Sequence, residues 1–548
     1  MELGVATHFG QGWPPAAMEE VRMIGADFVR DAVHWDEVET EAGVLVFEGG
    51  RFNFPDRLAE EGIDLLAVFS RHNRLYDPGT PFTPEAQAAF GNYVDAFLTR
   101  FPDVKDVEIG NEFNAQNFVV GPVREAGYDK RAAFYAGLAS AAVEPAATNG
   151  ATLLLGAAHS IPIGWFRDLA EAGVLDDADG LVIHPYSSPP EHVGNHIDLL
   201  RNSLGRFADM PLDATEFGRE VDDAMTAAAY LVRMTTALAE AEVRSAAWYA
   251  LREQSWHRNM GLFGEDGAIR PAGNAFKTMV RTVFEAGKPE RLDYGPRTWA
   301  VLFGDRVLVT WGARRGIEIE GDDVRWLDTA GAELSVPPGE ILPDRPIIAI
   351  TETPLRERLK FAPEIVLADS FYDFRVGAEV GATAGSGNWQ WLERRGDGVE
   401  AELVTMGGGD LQSEPWRPYL GGEYRRPLSV TERSIRPVDF DAGLVTGEKS
   451  YSIVERLDLG LAQSVDLCMT WTMAEEARVR VAVSVGGREI VDEMLNQTTS
   501  IRVRGVTVDD GEIIEFVASP AAGDGGATVR RRYVVGVAGE SLACNDFD

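Results

Sequence analysis

Eight short apolar runs alternate with amphipathic stretches over the first ~285 residues, and this alternation constrains the fold more than any other feature. The runs are Leu3–His8, Phe28–Val33, Leu65–Phe69, Val104–Ile109, Leu153–Ala158, Leu181–His184, Leu212–Thr215 and Ala246–Ala250. Between most of them lie helix-patterned segments such as PAAMEEVRMIGA, PEAQAAFGNYVDAFLTRF and TAAAYLVRMTTALAEA. A last one opens at Pro271, where Pro and a nearby Asn are helix-start signals. Eight strand–helix units in this length predict a closed α/β (β/α)8 TIM barrel, a fold of about 250 residues.

The pattern changes near residue 288. Residues 289–360 contain strands and turns (TWAVLFG, RVLVTWG, PIIAI) without a helical run, and predict a small β-sandwich. Residues 361–548 are rich in Gly and in alternating strands such as RVRVAVSV, and predict a second, jelly-roll-like sandwich with carbohydrate binding as one possible role. The expected organisation is therefore 1–288, 289–360 and 361–548.

Composition excludes several classes of function. There are 87 acidic and 51 basic side chains, for a net charge of -36, which argues against binding nucleic acid or an anionic membrane. No stretch of ~18 apolar residues occurs, so no membrane span is expected. The opening MELGVATHFG has neither a basic start nor an apolar core of signal type. Cytoplasmic location and export after trimming both stay open. Two cysteines provide neither a disulfide framework nor a Cys-based zinc site, and Cys468 reads as a small buried hydrophobe. His192 and His196 stand four apart in EHVGNH but lack the Glu that follows the first His of a zinc-protease helix. No phosphate loop or dinucleotide fingerprint is present, so neither metal nor cofactor is expected.

Catalytic side chains of such barrels sit at the C-terminal ends of the strands. Strand 4 ends VEIGNEFN, with Asn111 and Glu112 at its mouth. Strand 7 ends LDATEFG, with Glu216. Strand 2 contributes Arg30, His34 and Trp35, strand 3 Arg71 and His72, strand 6 His184 and Tyr186, and strand 8 Trp248. Trp256 lies in the long loop that follows strand 8. Two carboxylates on one barrel face suit glycosidic cleavage, in which one protonates the leaving oxygen and the other meets the oxocarbenium-like centre. Arg30 and Tyr186 could donate to Glu216 and keep it an anion, and Asn111 could hold a sugar hydroxyl.

The Asn111-Glu112 pair and the Thr215-Glu216-Phe217-Gly218 run, with Arg30 and the HWDEVETEAGVLVFE segment after it, resemble clan A of the glycoside hydrolases, and family 39 most. The resemblance covers roughly residues 1–352. It implies a retaining enzyme acting on a poly- or oligosaccharide, with Glu112 as acid/base and Glu216 as nucleophile. His184 and Tyr186 would be the polar pair of strand 6 near the nucleophile, and Trp248 the aromatic floor of a sugar subsite. The chain departs from the clan in carrying Phe113 and Asn114 where Pro or a small residue usually follows the acid/base.

Each candidate has a plainer alternative. Arg30 could be a structural partner of Asp31 or Asp213, His184 a satisfied core histidine, Trp35 core packing, and the Trp256 region a loop anchor. Arg71, Arg252 and Arg258 could recognise a uronate. Trp389, Trp391, Trp416, Tyr419 and Tyr424 are expected mainly in the core of the last sandwich. Two other functions fit the same residues: a glycan-binding protein with a relic barrel, and a transglycosylase using the same Glu pair.

Overall fold

The computed structural model describes residues 1–548 except 50, 71, 385–386, 423–427, 440–449, 475–477, 522–525 and 543–548. Eight parallel strands close into a barrel in chain order: β1 (Glu2–Ala6), β2 (Phe28–Asp31), β3 (Asp64–Phe69), β4 (Asp106–Ile109), β5 (Thr152–His159), β6 (Gly180–His184), β7 (Leu212–Phe217) and β8 (Ser245–Trp248). Pairing of Leu3 with Ala246 and of Val5 with Trp248 closes the ring. A helix follows each strand; Pro84–Arg100 and Ala224–Glu240 show why they start where they do. Thr83 and Asp223 accept from the backbone N–H of Ala86 (3.2 Å) and Thr226 (2.9 Å), donors that the first helical turn cannot satisfy itself.

Inside the barrel Phe28, Leu66, Leu154, Val182 and Ala247 form a closed apolar plug. Gly4 is required beside it, because a Cβ there would lie 2.5 Å from the Phe28 ring. The strands' other faces pack on the surrounding helices through Leu3, Val5, Val29, Val107 and Ile183, all buried.

Two antiparallel sheets follow, one of five strands and one of three, with Leu302, Ile317, Trp326 and Ile341 in the core they share. Beyond them, among the described residues, lie antiparallel sheets of eight and seven strands. These two face one another: Phe516 of the seven-stranded sheet stacks on Tyr533 of the eight-stranded sheet at 4.2 Å and 4°. Trp389, Trp391 and Tyr419 are buried in this region, and Trp416 is half-buried against Tyr128 of the barrel. Tyr424 lies outside the described residues. Cys468 is buried, in line with its reading as a small hydrophobe, and it is disulfide-bonded. Among the described residues no helix is long and apolar enough to cross a membrane.

The last sandwich is stitched to the barrel by backbone. Ile161 and Gly164 donate to the carbonyls of Trp416 and Gly408, both at 2.9 Å, and Tyr128 donates its hydroxyl to the Gly409 carbonyl at 2.6 Å. Arg417 donates to the Ser187 carbonyl, just past Tyr186.

Candidate active site

At the end of β4 the chain turns through Gly110, whose φ of +86° suits glycine and where a Cβ would press on Tyr135 and Ala157. Glu112, two residues on, also has a positive φ, +43°. A non-glycine residue there stores about 1–3 kcal/mol of strain and persists only where its surroundings over-determine it. They do: Gly110 donates to the Phe69 carbonyl at 2.8 Å, and Phe113 donates to the Ala157 carbonyl at 2.8 Å.

Arg30 projects from β2 into a set of acceptors. Its Nε and one terminal nitrogen reach the two carboxylate oxygens of Glu108 at 2.8 Å each. The same terminal nitrogen donates to the Asn111 side-chain amide oxygen at 2.8 Å, and the other nitrogen donates to Glu216. Burial works against the Arg30 charge, but Glu108 and Glu216 outweigh it and hold the guanidinium protonated. The same pairing brings the Glu108 carboxyl down to about 2 despite the penalty of burial. Tyr186 donates its hydroxyl to the other Glu216 oxygen at 2.9 Å. Burial first, and then the Glu216 charge, push the Tyr186 phenol far up, so it stays a donor.

Glu112 meets histidines rather than arginine. The Nδ1 atoms of His159 and His184 both lie 3.0 Å from the same oxygen, Oε1. Burial raises Glu112, but the two imidazoles overcome it and hold the carboxyl well below the usual carboxylate range. His184 is fully buried, with Nε2 3.0 Å from the Thr215 hydroxyl. Burial opposes its charge, yet Glu216, Glu108 and Glu112 raise it to about 9, so it is an imidazolium at neutral pH. Single side-chain atoms of Glu112, His184 and Glu216 all lie within 4.8 Å of one another. That trio is the metal-capable cluster among the described residues. A histidine ligates metal only as the neutral ring, and these surroundings favour the charged one. His192 and His196 are instead buried within Pro190–Ser203, His196 bonded to the Ser188 hydroxyl at 2.9 Å and His192 edge-on to Phe371.

The cleft over these groups has a volume of about 800 Å³. Arg30, Asn111, Glu112, Tyr186 and Glu216 line it, as do His72 and Trp256, the latter 59% exposed. His184 does not line it and acts on Glu112 from behind. Two expectations need correction. Trp248 is fully buried, donates its indole N–H to the Met260 carbonyl at 2.7 Å and packs on Phe217, so it presents no face to a sugar. Trp35 is likewise fully buried, stacked between Tyr76 and Tyr93 with its N–H on Glu39. Arg252 is paired with Glu20 at 2.7 Å and Arg258 with Asp222 at 2.8 Å, and Arg71 lies outside the described residues.

Three groups escaped the sequence reading: Glu108, His159 and Tyr249. Glu108 carried a signal, a charge inside an apolar strand with a matching Arg30 in another. His159 was lost by one residue, since the apolar run of β5 was ended at Ala158. Tyr249, directly after the buried Trp248 that ends β8, is the aromatic residue presented to the cleft there.

No protein-family model matches the sequence. No curated protein matches it either. Solved structures do. The fold is shared with a family 39 glycoside hydrolase. That protein, from the gut symbiont Bacteroides cellulosilyticus, has a TM-score of 0.51 at 19% identity, over 64% of this chain and 81% of its own. A GH39 β-xylosidase from Caulobacter crescentus gives a TM-score of 0.46 at 13% identity, covering 64% of this chain and 96% of that one. A GH5_18 protein from Bifidobacterium longum subsp. longum in complex with Manβ1-4GlcNAc gives 0.42 at 17%, covering 53% and 80%. The structural neighbours are thus glycoside hydrolases of families 39 and 5, and at these identities the likeness is one of fold.

Proposed function

We propose that this chain is a retaining glycoside hydrolase that cleaves β-linked oligo- or polysaccharides with Glu112 as acid/base and Glu216 as nucleophile. The observation that carries the reading is the pair of carboxylates at the ends of β4 and β7, with oxygens within 4.8 Å of each other. Retaining enzymes hold their carboxyl groups ~5–5.5 Å apart, whereas inverting ones leave room for a water. The two environments differ: Arg30 and Tyr186 donate to Glu216, whereas His159 and His184 face Glu112 and favour its ionised form, which suits its second role as base. Arg30 and Tyr186 donate to Glu216 and orient it for attack on the anomeric carbon. As the C–O bond to the leaving group breaks, the proton of Glu112 passes to that oxygen and Glu216 forms the glycosyl ester. Glu112, now a carboxylate, takes a proton from water, whose oxygen displaces Glu216. Asn111 lines the cleft beside Glu112, placed for a sugar hydroxyl. Trp256 offers an exposed face for stacking. Residues 289–360 and 361–548 are taken as accessory β modules of the catalytic barrel, 1–288.

The test is a panel of nitrophenyl β-glycosides and polysaccharides, with product configuration read by NMR. Glu216→Gln is expected to lose activity by several orders of magnitude. Glu112→Ala is expected to recover turnover of activated substrates with azide, giving a β-glycosyl azide. Inverted product, or near-normal hydrolysis by Glu216→Gln, refutes the reading.

A further inference from the structure

The chain places a second histidine on its candidate acid, and that placement is built rather than incidental. His184 reaches Glu112 from the sealed side. His159, at the last residue of β5, brings its Nδ1 to 3.0 Å from the same oxygen on the cleft side, within ion-pair distance though without a hydrogen bond's alignment, and its side chain is 30% exposed. Asn114, fully buried, fixes the backbone of His159 at both ends: its amide donates to the His159 carbonyl at 3.1 Å, and its oxygen accepts from the His159 N–H at 2.7 Å. Arg131, also buried, donates to the Asn114 carbonyl. Asn114 is one of the two residues at which the sequence departs from the clan pattern. That departure therefore links the acid-bearing turn of β4 directly to His159. Ala157 and Ser160, on either side of His159, both have positive φ (+42° and +64°).

Two ring nitrogens on one carboxylate oxygen favour its ionised form. A general acid must be protonated to act, so such a clamp opposes the first step of hydrolysis and suits the second, in which Glu112 is the base. We infer that His159, held by Asn114, is a positioning residue that clamps Oε1 of Glu112 together with His184 and sets the upper pH limit of turnover. The inference rests on the acid/base assignment of Glu112. The other ionisable groups around Glu112 are Glu216 on β7, with His184 Nδ1 3.7 Å from its Oε2, Glu108 on β4, 3.8 Å from His184 Nε2, Arg30 on β2, and the phenols of Tyr186 and Tyr249. His159 is the one of the two clamping rings that the cleft exposes, so an arriving substrate meets it and not His184.

An infrared titration tests this without substrate, following the protonated-carboxyl band that Glu112→Gln deletes. In His159→Gln and His159→Phe the band is expected to grow in at a pH about one unit higher than in wild type. That shift corresponds to roughly tenfold more protonated acid at a given pH. Asn114→Ala, which leaves both rings in the chain, is expected to move it in the same direction by less. On a nitrophenyl β-glycoside turned over by the wild type, the basic limb of kcat/KM is expected to rise by the same amount. A band at the same pH in wild type and His159 variants overturns the inference, as does a fall in kcat at every pH without movement of the limb. Unimpaired turnover by Glu112→Gln overturns the acid/base assignment instead, and the infrared shift still decides whether His159 governs the carboxyl.

Discussion

Arg30 separates a structural from a functional reading most sharply, because it serves two carboxylates with different duties. Glu108 is fully buried and holds two of its contacts, while Glu216 borders the cleft and holds a third. Arg30→Met leaves Glu108 charged in the interior with the His184 Nε2 atom 3.8 Å away as its remaining cationic neighbour among the described residues. Removing one partner of a buried pair costs about 3–5 kcal/mol. At about 2.1 cal/mol/K per residue over a barrel of roughly 280 residues, this lowers Tm by about 5–8 °C. The same variant takes a charge-assisted hydrogen bond from Glu216, worth about 1.5–3 kcal/mol, so kcat/KM falls roughly 10- to 150-fold. The double variant Arg30→Met/Glu108→Met then separates the effects. With the Arg30–Glu108 pair replaced by apolar side chains, no unpaired Glu108 is left in the interior and much of the stability loss is recovered. Glu216 still lacks its Arg30 donor and keeps only Tyr186, so activity stays low. Calorimetry and steady-state kinetics on the three proteins measure both. If the double variant recovers activity along with Tm, Arg30 is only a structural partner of Glu108, and the argument that it orients the nucleophile fails.

Other outcomes follow from the same geometry. Trp256→Ala is expected to raise KM about fivefold, for ~1 kcal/mol of lost stacking, with Tm unchanged. Trp248→Ala is expected to cost about 3–5 kcal/mol of stability as a core truncation; a Trp248 variant that loses sugar affinity at full stability contradicts its burial. His184 is raised from 6.5 to about 9 on folding, so its contribution is complete below pH 6.5 and is lost as pH rises through 9. Glu108 is lowered from 4.5 to about 2, so its contribution holds above pH 4.5 and is lost as pH falls towards 2. Thermal melts across pH are expected to show both losses, and His184→Asn is expected to flatten the alkaline one. An alkaline slope unchanged in His184→Asn refutes that assignment.

The barrel was legible because its signal is local: each strand and each helix carries its own period, and eight units leave few alternatives. The two glutamates were legible for the same reason, standing at strand ends that the count defines. Side-chain direction was less accessible. Trp248 ends β8 and Tyr249 directly follows it, and which one faces the cleft depends on the turn of the chain there and on the partner the indole N–H finds, here Met260. Glu108 required pairing two buried charges far apart in sequence. His159 required knowing that β5 runs one residue further than its apolar run. The last sandwich was legible as strands but not as a neighbour of the site, because much of its seam with the barrel is made through backbone groups, as at Gly407, Gly408 and Trp416, which leave no trace in residue type.

That backbone seam bears on what the C-terminal region does. The carbonyls of Gly407, Gly408 and Trp416 accept from Ile163, Gly164 and Ile161, residues that begin two positions after His159, while Arg417 holds Ser187 next to Tyr186. A module that merely carried the barrel to a surface would not need to grip the two loops that bear site residues. Gly164→Ala turns this into a test of sign. Gly164 lies inside Ile163–Glu171, where replacing glycine by alanine ordinarily stabilises a helix by about 0.5–1 kcal/mol. A Cβ at Gly164, however, would lie 2.5 Å from the backbone nitrogen of Asp410. If the seam is as tight as this distance implies, the overpacking cost of about 1–3 kcal/mol exceeds the helix gain, and both Tm and kcat fall. Asp410→Ala, which removes the ion pair with Arg167 but leaves the backbone in place, is expected to change neither by much, since that pair is partly exposed. A Gly164→Ala protein that melts higher than wild type with full activity would mean that the sandwich yields at the seam, and that the loops carrying His159 and Tyr186 hold their geometry without it.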